Sequence, residues 1–248
     1  MGDINYLKKA QAVAGVDWRS GVFIPVDKPL DWTSFDVVNK LRYQLKRITG
    51  VKKFKVGHAG TLDPRATGLL IIACGKATKS IQAVTDDEKS YSGKIKIGAT
   101  TASYDTEQEE DQQFPTDHIS DEMIDDARIH FTGVQGQLPP MFSAIRKDGQ
   151  RLYQLARQGK EIEREARQVD IKALELRRVD KDFLHFDCRC SKGTYIRSLA
   201  HDIGQFLKSG AYLIELKRTY IGDFSLKDAW QLDDLVAELS QINHEPCQ

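Results

Sequence analysis

Gly57-His58-Ala59-Gly60-Thr61-Leu62-Asp63-Pro64-Arg65-Ala66-Thr67-Gly68-Leu69-Leu70 is the stretch around which the rest of the 248-residue chain is organised. Three glycines, at 57, 60 and 68, together with Pro64, permit sharp backbone conformations that bulkier residues resist, so the segment reads as a rigid loop. It holds one carboxylate, Asp63, and the proline that follows pushes this residue out of the helical region, projecting it from the loop. The apolar run Leu69-Leu70-Ile71-Ile72-Ala73-Cys74 then reads as a strand buried on both faces, anchoring the acidic loop to the middle of a sheet. Asp-Pro in a glycine-rich loop is ordinarily a turn whose carboxylate caps a nearby amide, so context has to decide. A nucleotide-binding loop is excluded, because six residues separate Gly68 from Gly75-Lys76 and Ala77 stands where Ser or Thr is needed.

Upstream, Val22 to Val26 reads as a strand leading into Asp27-Lys28-Pro29. A helix follows with apolar positions Phe35, Val38, Leu41, Leu45 and Ile48, capped by Thr33 or Ser34 and stopped by Gly50. Residues 1 to 20 lack periodicity and read as a frayed arm or short helix. Downstream, a helix is expected from about Thr78 to Asp86. The alternation of Ile95 and Ile97 with Lys94 and Lys96 marks a half-exposed strand that begins at Tyr91. An amphipathic helix is expected at about Ser120 to Ile129, then a proline pair, a turn at Asp148-Gly149 and a short helix closed by Gly159. Val169 to Leu176 and Phe183 to Cys190 are strand-like. In the next helix Ile196, Leu199 and Ile203 share a stripe, which sets Arg197 beside the buried face near the N-terminal turn. A last helix is expected around Leu232 to Leu239.

Lys and Arg together number 36, as do Asp and Glu, so the formal net charge is zero, yet the charges are segregated. Between Lys40 and Arg65 eight Lys or Arg stand against one acid, Asp63, whereas Asp105 to Asp126 holds ten acids and no Lys or Arg. A basic region with Tyr43 and Phe54 interleaved can neutralise phosphates, and the acidic region would lie away from a polyanion. From Arg146 to Arg167 there are a further seven Lys or Arg against four acids. A hydrophobic content of 40% points to a soluble globular protein. No apolar run approaches the ~20 residues that span a bilayer, and the N-terminus lacks a signal-peptide core, so a cytoplasmic location is expected. The cysteines at 74, 188, 190 and 247 show no paired spacing, which points to reduced thiols rather than zinc.

The opening stretch resembles the G-H-x-G-x-L-D-P-x-A-T-G-x-L signature of the TruB family, the tRNA pseudouridine-55 synthases. Asp27-Lys28-Pro29-Leu30-Asp31-Trp32-Thr33-Ser34 is similar to that family's K-P-x-G-x-[ST]-S motif, with Asp31 where glycine is common. The segment from Cys190 to Leu199 resembles C-S-K-G-T-Y-I-R-[ST]-L, and Leu216-Lys217-Arg218-Thr219 resembles an L-R-R-T segment that borders the uridine pocket. The likeness covers about Val22 to Phe224, with the motifs in the family's order. It implies the pseudouridine-synthase fold, α/β (α+β), with a mixed, largely antiparallel central sheet flanked by helices. It also implies an N-terminal arm (residues 1–21), a catalytic domain (22–224) with an inserted thumb at about 137–167, and a short C-terminal helix and tail (225–248) without the PUA domain that many members carry.

The resemblance implies residue roles as well. Asp63 is the catalytic nucleophile, Arg197 pairs with it, and Tyr91 packs against the target base. His58 fills the space that a flipped-out uridine vacates, and Lys28, Gly60, Thr61, Tyr195 and Leu216 complete the substrate site. Arg146, Lys147 and Arg151 of the thumb, with Lys52 and Lys53 of the basic region, would contact the RNA backbone. The partner implied is the T-arm stem-loop of tRNA, with no membrane and no obligatory protein partner. Isomerisation breaks the bond from ribose C1' to uracil N1 and rejoins the base through C5 without redox change, so neither cofactor nor metal is expected. The carboxylate can add to C6, attack C1' or assist elimination through a glycal. Two other classes compete. A non-catalytic tRNA-binding or chaperone protein has no need of Asp63 together with Arg197, and a nucleosidase-type hydrolase needs a second acid that the motif loops lack.

Overall fold

Strand β1 (Val22–Lys28) opens the fold of the computed structural model, which describes residues 5–147 and 149–242. Contacts gather the chain into two units: the residues up to Ser90 with those from Lys217 onward, and Tyr91–Leu216 between them. In the first unit, helix α1 (Ser34–Thr49) begins where Thr33 and Asp36 each accept from the other's backbone N–H, a capping box, and ends at Gly50 in a left-handed conformation. Its buried stripe is Val37, Val38, Leu41, Leu45 and Ile48. Phe35, expected in that stripe, is 59% exposed and lies beside the Arg42 guanidinium, because the helical period puts Val37 and Val38 inward instead.

Strands β2 (Val56–Ala59) and β3 (Ala66–Cys74) pair antiparallel, and β3 also pairs antiparallel with β1, from Val22 opposite Cys74 to Lys28 opposite Gly68. Every residue from Leu69 to Cys74 is buried, which matches a strand covered on both faces. The helix expected from Thr78 is instead a 3₁₀ segment, Gly75–Ser80, followed by the short helix α2 (Ile81–Asp86). The Thr78 hydroxyl bonds the Gly75 carbonyl within that tighter first turn. The arm is not frayed among its described residues. Leu7, Val13 and Trp18 bury themselves in the α1 core, and the arm pairs with β1, Leu7 N donating to Phe23 O and Phe23 N donating to Asn5 O. Residues 1–4 of the arm and 243–248 of the tail, with Cys247, lie outside the described residues, as does Asp148 of the expected turn.

The second unit is entered along β4 (Lys89–Ile97). It continues through β5 (Ala99–Thr101), β6 (Glu110–Gln113), α3 (Asp121–His130, capped by Ser120) and β7 (Gly133–Gln137). The segment expected to form a thumb holds the hairpin of β8 (Arg146–Lys147) and β9 (Gln150–Arg151) and the short helix α4 (Leu152–Ala156). Strand β10 (Arg167–Asp180) then pairs antiparallel with both β7 and β11 (Phe183–Cys190), helix α5 (Ile196–Phe206) follows, and β12 (Ala211–Ile221) leaves the unit at Lys217. Ile95 and Ile97, Ile124 and Ala127, Leu174 and Phe186, and Ile196, Leu199 and Ile203 form its core.

Back in the first unit come β13 (Phe224–Ser225), β14 (Trp230–Gln231) and α6 (Leu232–Gln241). Strand β14 pairs parallel with β1, against antiparallel pairing of β1, β2 and β3 with one another's neighbours, so the pattern is mixed and largely antiparallel. Arg47 fastens α6 to α1 through the Leu239 and Ile242 carbonyls, at 2.6 and 2.9 Å. No described helix is long and apolar enough to cross a membrane. Among the described residues no cluster of three His, Cys, Asp or Glu is placed to hold a metal.

Candidate active site

Only six residues, Gly60 to Arg65, connect β2 to β3, so the stretch that reads as one loop is a short turn between two strands. Gly57 belongs to β2 and carries no positive φ. A side chain there would stand 2.8 Å from Ile81 Cδ1, the movable end of that side chain, so neither backbone freedom nor tight packing demands glycine at this position. Gly60, by contrast, turns the chain with φ +79°. Ser34, buried at the start of α1, accepts from Leu62 N at 2.8 Å and donates to Leu62 O at 3.0 Å, fixing the residue before Asp63. On the other side Ala66 N donates to Asp63 O at 3.0 Å, and Asp31 N donates to Pro64 O at 2.9 Å. Asp31 fills the place where glycine is common by adopting a left-handed φ of 63°, which aspartate tolerates, and it accepts a 2.8 Å ion pair from Arg65.

Buried cations line the same turn. Lys28 is fully buried at the end of β1 and donates to the carbonyls of Trp32 (2.6 Å), Pro29 (2.8 Å) and Pro64 (3.4 Å). Burial pushes its ammonium down to about 8, against an opposing pull from the Asp63 carboxylate, so it stays largely protonated at neutral pH. Arg218, 1% exposed on β12, donates to Leu69 O (2.8 Å), Gly60 O (3.0 Å) and Thr61 O (3.4 Å). Lys89, also buried, donates to the Thr85 and Asp87 carbonyls. His58, half-buried on β2, is held below the usual imidazole range, chiefly by burial and then by the Arg218 charge, and is neutral. The site residues Lys28, His58, Gly60, Thr61 and Asp63 are therefore brought together in one unit.

The second unit carries the others. Tyr91 on β4 and Leu216 on β12 are both partly buried and pack against one hydrophobic cluster. Arg197, 5% exposed in the first turn of α5, leaves the helix beside the buried face as its spacing requires. Its Nε lies 3.6 Å from Asp105 Oδ2, and its Nη1 donates to Phe142 O (2.9 Å) and Ser103 O (3.3 Å). Asp105 is buried too, accepting from Ser103 Oγ (2.6 Å) and Glu107 N (2.9 Å). This corrects the reading of 105–126 as an outlying acidic region: its first member is a buried partner of Arg197. The Tyr195 peptide is clasped on both sides by the Gln137 amide, which accepts from Tyr195 N at 2.8 Å and donates to Tyr195 O at 3.0 Å. Asp105, Gln137 and Ser34 were missed in the sequence, because a polar residue with a buried backbone or ionic partner carries no periodic signal.

Residues 46–196 match the family model of the TruB family pseudouridylate synthase N-terminal domain, and residues 197–246 match that of the tRNA pseudouridylate synthase B C-terminal domain. The chain belongs to the TruB family. The tRNA pseudouridine synthase B of Flavobacterium johnsoniae is 51% identical over 86% of this chain and 93% of its own length. That of Phocaeicola vulgatus is 47% identical over 91% and 96%. Among solved structures, a chain of a Cbf5-Nop10-Gar1 complex superposes with TM-score 0.65 at 28% identity, covering 89% of this chain. A chain of an H/ACA RNP bound to a substrate RNA containing 2'-deoxyuridine does so with TM-score 0.63 at 26% identity, covering 87%. This chain spans about half the length of those two, 54% and 52%. The fold is the pseudouridine-synthase fold, and this TruB-family enzyme is a pseudouridine synthase acting on tRNA.

Each unit of this TruB-family chain also carries a basic surface. Lys52 and Lys53 border a groove of about 510 Å³ with Arg42, Lys46, Lys55 and Phe54, and no carboxylate lines it. Its floor includes Val56 and Gly57, which lead along β2 to His58. In the thumb, Arg146, Lys147 and Arg151 are exposed, and the Arg151 and Arg157 guanidinium groups lie over the Tyr153 ring at 5.9 and 5.5 Å.

Proposed function

We propose that the enzyme converts the uridine at position 55, in the T-arm loop of tRNA, to pseudouridine on a flipped-out base, with Asp63 as nucleophile. The observation that carries this reading is the Gly60–Arg65 turn, whose carbonyls and amides are held from several sides while it presents one carboxylate. A rigid mount costs no reorganisation when the base arrives. The carboxylate bonds to carbon, at C1' or at C6, the C1'–N1 bond breaks, the base turns, a C1'–C5 bond forms, and the bond from the carboxylate to carbon breaks again to free Asp63. C5 then loses its proton and N1 gains one, so nothing is oxidised or reduced. Neutral His58, next to the turn, occupies the place that the extruded base leaves. Tritium release from 5-tritiated uridine in a tRNA transcript tests the reading. Transcripts carrying cytidine at position 55 should release nothing.

In this reading Arg197 pairs with the Asp63 carboxylate and aims it, and Asp105 holds Arg197. Lysine keeps the charge but loses the planar fork, so Arg197→Lys should lower turnover by at least about tenfold while changing tRNA affinity little. Asp105→Asn removes the counter-charge beneath a buried guanidinium and should lower turnover in the same way. Parental turnover in either variant, measured on one transcript, contradicts that line of support.

The basic groove and the thumb receive the RNA backbone. Tight binding should therefore weaken steeply with salt, each phosphate contact adding about 0.7 to 0.9 to the slope of log affinity against log salt concentration. Lys52→Gln combined with Lys53→Gln should make that slope shallower and leave the rate at saturating tRNA near the parent's. A slope equal to the parent's removes these two lysines from the interface.

A further inference from the structure

Arg218 is a buried charge without a buried counter-charge among its hydrogen-bond partners: all three are backbone carbonyls. Burying a guanidinium is expensive, and an apolar side chain of similar volume commonly serves stability as well or better. What the arginine adds here is geometric. Its planar fork reaches two successive carbonyls at the start of the turn, Gly60 and Thr61, and the Leu69 carbonyl on the strand that leaves it. Asp63 lies between those points. A side chain on Gly60 would approach Arg218 Nη1 to 3.4 Å, so the guanidinium lies directly against the turn. Burial holds both Lys28 and His58 down, and the Arg218 charge adds to that at each of them.

We propose that Arg218 is a positioning residue for the isomerisation: it joins the entry of the Asp63 turn to the exit strand, and so fixes where the carboxylate stands relative to the bound uridine. The proposal rests on the reading of Asp63 as nucleophile. In this proposal Arg218 acts through the carbonyls of the turn. Nearest to the turn with it are Lys28, which pins Pro64 O from the β1 side, and Lys89, whose Cε stands 4.0 Å from the position a Gly60 side chain would take. Neither bridges entry to exit, and an ammonium in place of the guanidinium would lose the separate Nε, Nη1 and Nη2 donors that reach Leu69, Thr61 and Gly60.

The test compares Arg218→Lys and Arg218→Met in single-turnover reactions at saturating tRNA, with tRNA dissociation constants and amide exchange over residues 57–70 measured on the same samples. A displacement of about one ångström at a nucleophile is enough for a rate loss on the order of a hundredfold. The Met variant is expected to slow by about that factor, the Lys variant by about tenfold, with dissociation constants within about threefold of the parent's and faster exchange confined to the turn. A Met variant with parental rate overturns the proposal. So does an equal loss of rate and affinity in both variants, which marks a general defect. If the Met variant does not fold, the Lys variant decides: parental rate overturns the proposal, and a slowed rate with parental affinity supports it. Asp63→Asn run alongside separates the two claims, since turnover by that variant sinks the nucleophile assignment whatever Arg218 does.

Discussion

Asp63→Asn is expected to stop pseudouridine formation, lowering the single-turnover rate by at least about four orders of magnitude while tRNA still binds. The substitution keeps size and shape but replaces a carboxylate with an amide that has no charge to give. The turn around it should survive, because the bonds that shape it run through the Ser34 hydroxyl and through the carbonyls of Gly60, Thr61, Asp63 and Pro64. Tritium release read beside a filter-binding titration separates the two properties. Turnover of the Asn variant above that of a no-enzyme control removes the nucleophile role, and loss of binding in step with rate means that the turn has collapsed.

Tyr91→Phe is expected to slow the reaction by about 10² to 10⁴-fold, the range for loss of a general acid or base. A proton must leave C5 before the rejoined base is aromatic again. Asp63, Arg197 and His58 already have work in the proposed reaction, which leaves the Tyr91 hydroxyl to receive that proton. The ring itself packs with Leu216 against the core of its unit, so phenylalanine should keep its pose and its stacking surface, and tRNA affinity should hold. Tyr91→Leu removes the flat face too and should weaken binding as well as rate. Single-turnover rates of both variants on one transcript decide the matter: a Phe variant as fast as the parent reduces Tyr91 to a platform.

The backbone plan of this protein was readable where one physical signal dominated. The uninterrupted apolar run after Gly68 is a strand buried on both faces, the capping pattern at Thr33 and the stop at Gly50 bound α1, and Arg197 does emerge beside the buried stripe of α5. The reading failed where signals competed. Phe35 has the right chemistry for a core position and the wrong angle, and the arm at Leu7, Val13 and Trp18 is buried without any period. Strand β6 lies within the acidic stretch, all four of its residues are exposed, and no apolar alternation marks it. Of the candidate site, the motif residues of each unit are where their elements place them, but their supports were mostly invisible. Asp105 looked like one more surface acid. Arg218 could have been found: Glu215, Lys217 and Thr219 alternate with Ile214, Leu216 and Arg218, which puts a charge on the inward side of a strand. A charge at an inward position needs a reason, and the reason here is three carbonyls.

The crossing of β3 and β12 at Gly68 bears on how freely this sequence can vary. Built onto Gly68, a methyl group would stand 2.3 Å from Arg218 O and 2.8 Å from Arg218 N, on a backbone already at φ +98°. Neither strand could accommodate it without moving apart, and the residue displaced would be the one whose guanidinium holds the turn. Gly68 has no functional group, yet the smallest possible addition there acts on the same linkage as deleting the arginine. A survey of tolerated substitutions is expected to rank Gly68 with the nucleophile, although only one of them does chemistry.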